Sequence, residues 1–130
     1  MTDRKLLELA AKAAGIEYDK NASFPPDGKT YSFFGLWLVI HGEPYEGQRR
    51  RWNPLTDDGD ALRLAVKLNI QITPGTYNKD EFTGFKAAGG EAHEFRHYLQ
   101  DEYAATRRAI VRAAAEIGVS MEGGQHGADT

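Results

Sequence analysis

Residues 33–40 are almost continuously apolar, with Phe33, Phe34, Leu36, Trp37, Leu38, Val39 and Ile40 interrupted only by Gly35. A strand with one wet face alternates apolar and polar residues, and this run does not alternate. Such a strand is normally covered on both faces. Residues 31–41 therefore read as a strand within a sheet that has helices above and below it. The expected fold is α+β, a three-layer α-β-α sandwich with a mixed or antiparallel sheet.

The remaining segments supply the other layers. Thr2 or Asp3 can cap a first helix whose apolar face is Leu6, Leu7, Ala10, Ala13 and Ala14, and Gly15 is placed to end it. Residues 17–31 are polar, with a turn at Pro25, Pro26, Asp27 and Gly28. Residues 41–47 connect into a second strand over residues 48–52, which Asn53 and Pro54 terminate. Asp57 is an N-cap for the helix that follows, and Asp58 and Asp60 place negative charge at the positive end of its dipole. Ala61, Leu64, Ala65 and Leu68 share one face of that helix, and Arg63 and Lys67 occupy its later turns. Ile70 and Ile72 read as a short strand, and Phe82 and Phe85 as part of another. Gly75, Gly84, Gly89 and Gly90 make that region the least regular. From about Asp101 a last helix carries Tyr103, Ile110, Ala114 and Ile117 at helical spacing, and Gly118 marks its end. The expectation is one domain over residues 1–120 and a flexible tail over residues 121–130.

Composition narrows the setting. The chain has no cysteine, which excludes disulfides and thiolate chemistry and suits a reducing compartment. Asp3, Arg4, Lys5, Glu8 and Lys12 interrupt the start, where a secretory segment is apolar. The apolar run falls well short of the roughly 20 residues of a membrane helix. These features predict a soluble cytoplasmic protein without a membrane partner. A net charge of −3 disfavours general nucleic-acid binding, although Arg49, Arg50 and Arg51 form one basic knot and Arg107, Arg108 and Arg112 another.

Four groups of residues could carry chemistry. His93, Glu94 and His97 stand in a His-Glu-x-x-His pattern. On a helix both histidines would hold zinc from one face, Glu94 would act as catalytic base, and Glu116 is spaced to be a third ligand. Charged Glu91 and Arg96 and the preceding Gly89 and Gly90 count against a buried catalytic helix there, so the leading expectation is no metal and no cofactor. Asp57, Asp58 and Asp60 could attract a divalent cation but are explained by capping. Arg49 and Arg51 with Trp52 resemble a phosphate-and-stacking site for a nucleotide or nucleic acid. Strand alternation turns Arg50 away from its two neighbours, and an edge strand protected by charge is the plainer account. Arg108 and Arg112 share a face of the last helix, where they could bind an anionic partner or form an ordinary solvated stripe.

Residues 6–16, 52–68 and 104–118, in that order, resemble the phage α-β-α (ABA) sandwich family of small phage and prophage proteins. The blocks cover about a third of the chain, and the strand–turn–helix of residues 52–68 is the specific one. The resemblance implies a sheet between helical layers, a phage or prophage origin and the cytoplasm of a bacterial host. The family has no established activity, so no catalytic residue is implied. The leading expectation is a non-enzymatic accessory protein that binds a host or phage protein, with counter-defence as one form of that role. A zinc hydrolase using His93, Glu94 and His97 and a nucleotide-binding module using Arg49, Arg51 and Trp52 are the alternatives.

Overall fold

Thr2 starts the first helix, accepting a hydrogen bond on its Oγ1 from the Lys5 backbone N–H at 3.1 Å. Helix α1 (Asp3–Ala14) ends at Gly15, which takes a left-handed φ of 67°. The next N–H, that of Ile16, donates back to the Ala11 carbonyl at 2.9 Å, so the last turn closes on itself. The computed structural model describes the backbone of residues 1–21, 35–77, 80–87, 90–95 and 102–128, and the side-chain surroundings of residues 1–21, 35–72 and 103–122.

Strands β1 (Leu36–Val39) and β2 (Arg49–Trp52) form an antiparallel pair, with Leu36 opposite Trp52 and Trp37 opposite Arg51. On the other edge of β1, the Asp19 N–H donates to the Trp37 carbonyl at 2.8 Å and the Val39 N–H to the Glu17 carbonyl at 3.0 Å. Backbone thus pairs with β1 on both sides. Burial along β1 nevertheless alternates: Leu36 and Leu38 are buried, while Trp37 and Val39 are partly covered. The expectation of two equally dry faces is corrected to one dry face and one half-covered face. The start of the expected strand, residues 31–34, lies outside the described residues.

Helix α2 (Asp58–Leu68) begins as the sequence predicts. Asp57 is its N-cap, accepting the Asp60 N–H at 2.8 Å, and Asn69 closes it with a left-handed φ of 56°. Ala61, Leu64 and Ala65 face the core.

The glycine-punctuated region forms more regular structure than expected. Strands β3 (Gln71–Tyr77), β4 (Asp80–Ala87) and β5 (Gly90–Phe95) make an antiparallel meander. Ile72 pairs with Phe85, and Phe82 pairs with Phe95. Threonine and aromatic residues recur along β3 and β4, and such residues suit a pleated surface. Among the described residues the strands fall into two sheets, not one. The fold is mixed α+β.

The last helix, α3 (Glu102–Ala128), continues through Gly118 and through most of the segment expected to be a flexible tail. Gly118 is therefore not a stop. It is a crossing point: a Cβ there would lie 2.3 Å from the Leu9 carbonyl oxygen of α1. Alanines make that approach possible, with Ala10, Ala11 and Ala14 buried on α1 and Ala105, Ala109, Ala113, Ala114 and Ala115 buried on α3. Helix α3 packs on α1, on α2, and on β4 and β5. Because neighbours surround it, its buried residues do not keep to one stripe. Tyr103, expected on the apolar face, is instead 67% exposed.

Candidate functional site

Alternation along β2 divides its side chains between two environments. Trp52 is 2% exposed and points into the core, on the same side as Arg50. Arg49 and Arg51 take the other side. The Arg51 guanidinium lies over the Trp37 ring, 5.6 Å from its centroid. Arg49 pairs with Asp19 at 3.4 Å and donates to the Gly47 carbonyl. The three residues read as a phosphate-and-stacking site are therefore not brought together: Trp52 faces away from Arg49 and Arg51.

Arg50 leads to the most organised polar cluster among the described residues. Asp60, only 4% exposed, accepts the Asn53 backbone N–H at 2.9 Å, Arg50 Nη1 at 3.2 Å and Arg63 Nη2 at 2.8 Å. Burying a carboxylate is costly unless it is paired and hydrogen-bonded, and here it is both. Asp60 thereby joins the end of β2 to the first turn of α2. Its neighbours have separate tasks: Asp57 caps α2, and Asp58 pairs with Arg107 at 2.6 Å. The acidic cluster is explained by capping and ion pairing.

A half-open pocket of about 210 Å³ adjoins this cluster. Its apolar wall is Ala14, Ile16, Leu38, Trp52 and Leu64, and Arg50, Arg63 and Lys67 supply its cations. A wider groove of about 370 Å³ runs beside α1 and residues 16–20. There Lys5, Lys12 and Lys20 face Glu8, Glu17 and Glu122, so its charges balance. Within it Lys12 pairs with Glu122 at 3.3 Å, and the Tyr18 hydroxyl donates to Glu8 at 3.4 Å. Burial, followed by the charge of Glu8, pushes the Tyr18 hydroxyl above its ordinary range.

His41 is exposed and clasped by two carboxylates, with Nε2 hydrogen-bonded to Glu17 and Nδ1 3.7 Å from Glu46. The bond to Glu17 raises its affinity for a proton above the usual level. Nothing in the sequence joined His41 to Glu17, because the pairing depends on residues 17–19 lying along β1.

The other expected site residues are dispersed. Arg108 pairs with Asp3 at 3.3 Å, tying α3 to the start of α1. Arg112 is half-buried on α3, and Glu116 is exposed one turn further on. His93 and Glu94 sit in β5, paired with Gly84 and Thr83 of β4. The helical backbone on which His93, Glu94 and His97 would share a metal is therefore replaced by a strand at its first two positions. His97 lies outside the described residues.

No protein family, curated protein or solved structure matches this chain.

Arg50, Arg63, Lys67 and Leu38 are the site residues that sequence reasoning missed. The usable signal was the alternation of β2, which sets Arg50 beside Trp52. The second signal was the spacing of Asp60, Arg63 and Lys67 along one flank of α2.

Proposed function

We propose that this chain is a phage- or prophage-encoded accessory protein that acts without catalysis, by binding a host or phage protein in the bacterial cytoplasm. The observation that carries the reading is the outward face of α2. Leu62 is 61% exposed and Val66 72% exposed, one turn apart on an otherwise amphipathic helix. Contiguous exposed apolar surface on a rigid element is a feature of protein interaction sites. Ion pairs of Asp60 with Arg50 and Arg63, of Asp58 with Arg107 and of Asp3 with Arg108 tie the elements of the fold together.

The likeness of residues 6–16, 52–68 and 104–118 to the phage sandwich family supports the phage origin. It also supports reading the α+β fold as an α-β-α sandwich, in which the half-covered face of β1 would meet a further layer. Inhibition of a restriction, CRISPR or signalling system is the form of counter-defence this role would take. The test is capture from host and infected-cell lysates with the native chain and with a Leu62→Asp, Val66→Asp double variant. One partner retained by the native chain and lost by an equally stable variant supports the reading. Equal capture by both chains, or none by either, overturns it. Among the described residues no helix is long and apolar enough to cross a membrane.

A further inference from the structure

The pocket between the end of α1, the inner face of β1–β2 and α2 has an asymmetry that packing alone does not require. Its wall is dry and apolar, with Leu38 at 8%, Trp52 at 2% and Leu64 at 2% exposure. Its cations are Arg50, Arg63 and Lys67. We propose that this pocket binds a small oxyanion, a carboxylate or phosphate, carried on a short apolar body.

Charge comes first. Three cations at the pocket, Arg50, Arg63 and Lys67, stand against two carboxylates paired with them, Asp60 and Asp57, which leaves one positive charge in excess. Asp57 lies 4.0 Å from Arg63, at the limit of an ion pair, and its carboxylate also accepts the Asp60 N–H. Lys67 makes no ion pair or hydrogen bond among the described residues.

Donor supply comes second. A guanidinium carries five N–H donors in a fixed fork. Asp60 engages one terminal nitrogen of each arginine, Nη1 of Arg50 and Nη2 of Arg63. Among the described residues the remaining nitrogens of both forks make no hydrogen bond, and the Asp60 carboxylate holds the two forks close to each other. Such an arrangement lowers the ordering cost of binding an oxyanion, and forked donors match carboxylate and phosphate oxygens alike.

Size comes third. At about 210 Å³ the space equals roughly seven water molecules. It lies below the roughly 300–1,000 Å³ of pockets for drug-sized ligands. A single ring or short aliphatic chain fills it, leaving the anionic head among the cations. The wider groove beside α1 has matched charges and offers no such preference.

The test uses the full chain in low-salt buffer, titrated with phenylacetate and with phenyl phosphate and followed by NMR. The reporters are the Trp52 indole N–H and the Leu38 and Leu64 methyl groups. Saturable shifts at all three are expected from at least one of the two anions, and the tighter one identifies the preferred head group. Phenylacetamide keeps the ring without the charge, inorganic phosphate keeps the charge without the ring, and neither should reproduce the shifts. Lys67→Gln leaves the Asp60 cluster intact and should weaken binding about fivefold, with an unchanged melting temperature. Absence of shifts with both anions overturns the proposal. Equal binding of phenylacetamide reduces the site to an apolar cavity, and equal binding of inorganic phosphate reduces it to surface cations; either result also overturns it.

Discussion

The carboxylate of Asp60 accepts three hydrogen bonds while almost wholly removed from water. Its partners are unequal. The Arg50 and Arg63 side chains are 45% and 61% exposed, so water can replace what they lose. The Asn53 N–H belongs to a residue only 4% exposed, and without an acceptor it bears a desolvation cost. Asp60→Ala should therefore destabilise the chain by about 1–3 kcal/mol in urea unfolding. Asp60→Asn, which keeps an acceptor oxygen for Asn53, should lose clearly less. Equal losses would mean that the ion pairs dominate. His41 gives a prediction of a different kind. Its pKa is raised above the ordinary 6.5, first by the hydrogen bond to Glu17, with desolvation opposing and the charges of Glu17 and Glu46 adding. A raised folded-state value means that its stabilising contribution is fully present below the unfolded value and is lost as pH rises through the folded one. An NMR titration should place the His41 midpoint above 6.5, and Glu17→Gln should move it back down. A midpoint unchanged by Glu17→Gln would remove the assigned cause. Neither role was legible beforehand. Asp60 could be read as a helix-dipole charge or a cation ligand, and not as a partner of Arg50, because that tie requires the end of β2 to fold back beside α2.

Elements whose limits are set by neighbouring residues were readable, and those set by distant contacts were not. Thr2, Gly15 and Asp57 act within one turn of their own helices, and each sits where the local pattern predicts. Gly118 looks the same in sequence as Gly15 but has the opposite role. One ends a helix through a left-handed φ; the other lies inside a helix and admits the backbone of α1 at Leu9. This difference yields a prediction whose sign is opposite to propensity. Alanine is favoured over glycine within a helix by about 1 kcal/mol, so a merely tolerated glycine would be improved by Gly118→Ala. Here the new methyl would stand 2.3 Å from the Leu9 carbonyl oxygen, and α1 and α3 would have to separate. Overpacking of that kind costs about 1–3 kcal/mol, so the melting temperature should fall. A rise would show that α1 and α3 do not meet so closely. The His93 and Glu94 positions teach the same lesson in a strand. Their spacing fits a helical metal motif, but a five-residue pattern carries no information about the pairing with β4 that places them in β5.

At the scale of the whole molecule, one core cluster takes residues from every helix and from the first sheet: Leu7 from α1, Leu36 from β1, Trp52 from β2, Leu64 from α2 and Val111 from α3. Polar ties cross the same boundaries. Arg107 of α3 donates to the Leu55 carbonyl at 2.9 Å and pairs with Asp58, while Arg108 reaches Asp3 at the start of α1. These contacts span 52, 49 and 105 residues of sequence, which is why local reading saw Arg107 only in a basic knot and Arg108 only as an anion-binding or solvated face. A core shared in this way should unfold as one cooperative unit, since no helix can leave without exposing apolar surface of another. The two tryptophans make this testable because they occupy different places. Trp37 is half-covered beneath Arg51, and Trp52 is inside the cluster. Trp37→Phe should cost little, since an exposed cation–π contact is worth about 0.5–1 kcal/mol, and it leaves Trp52 as the sole indole reporter. In that variant the urea transition seen by Trp52 fluorescence should coincide with the one seen by helical circular dichroism. A Trp52 transition completed at lower urea, with helical signal retained, would mean that the β1–β2 pair and its pocket open while α1 and α3 hold together. The pocket would then be a locally labile site on a stable helical pair, and ligand binding there would delay the fluorescence transition alone.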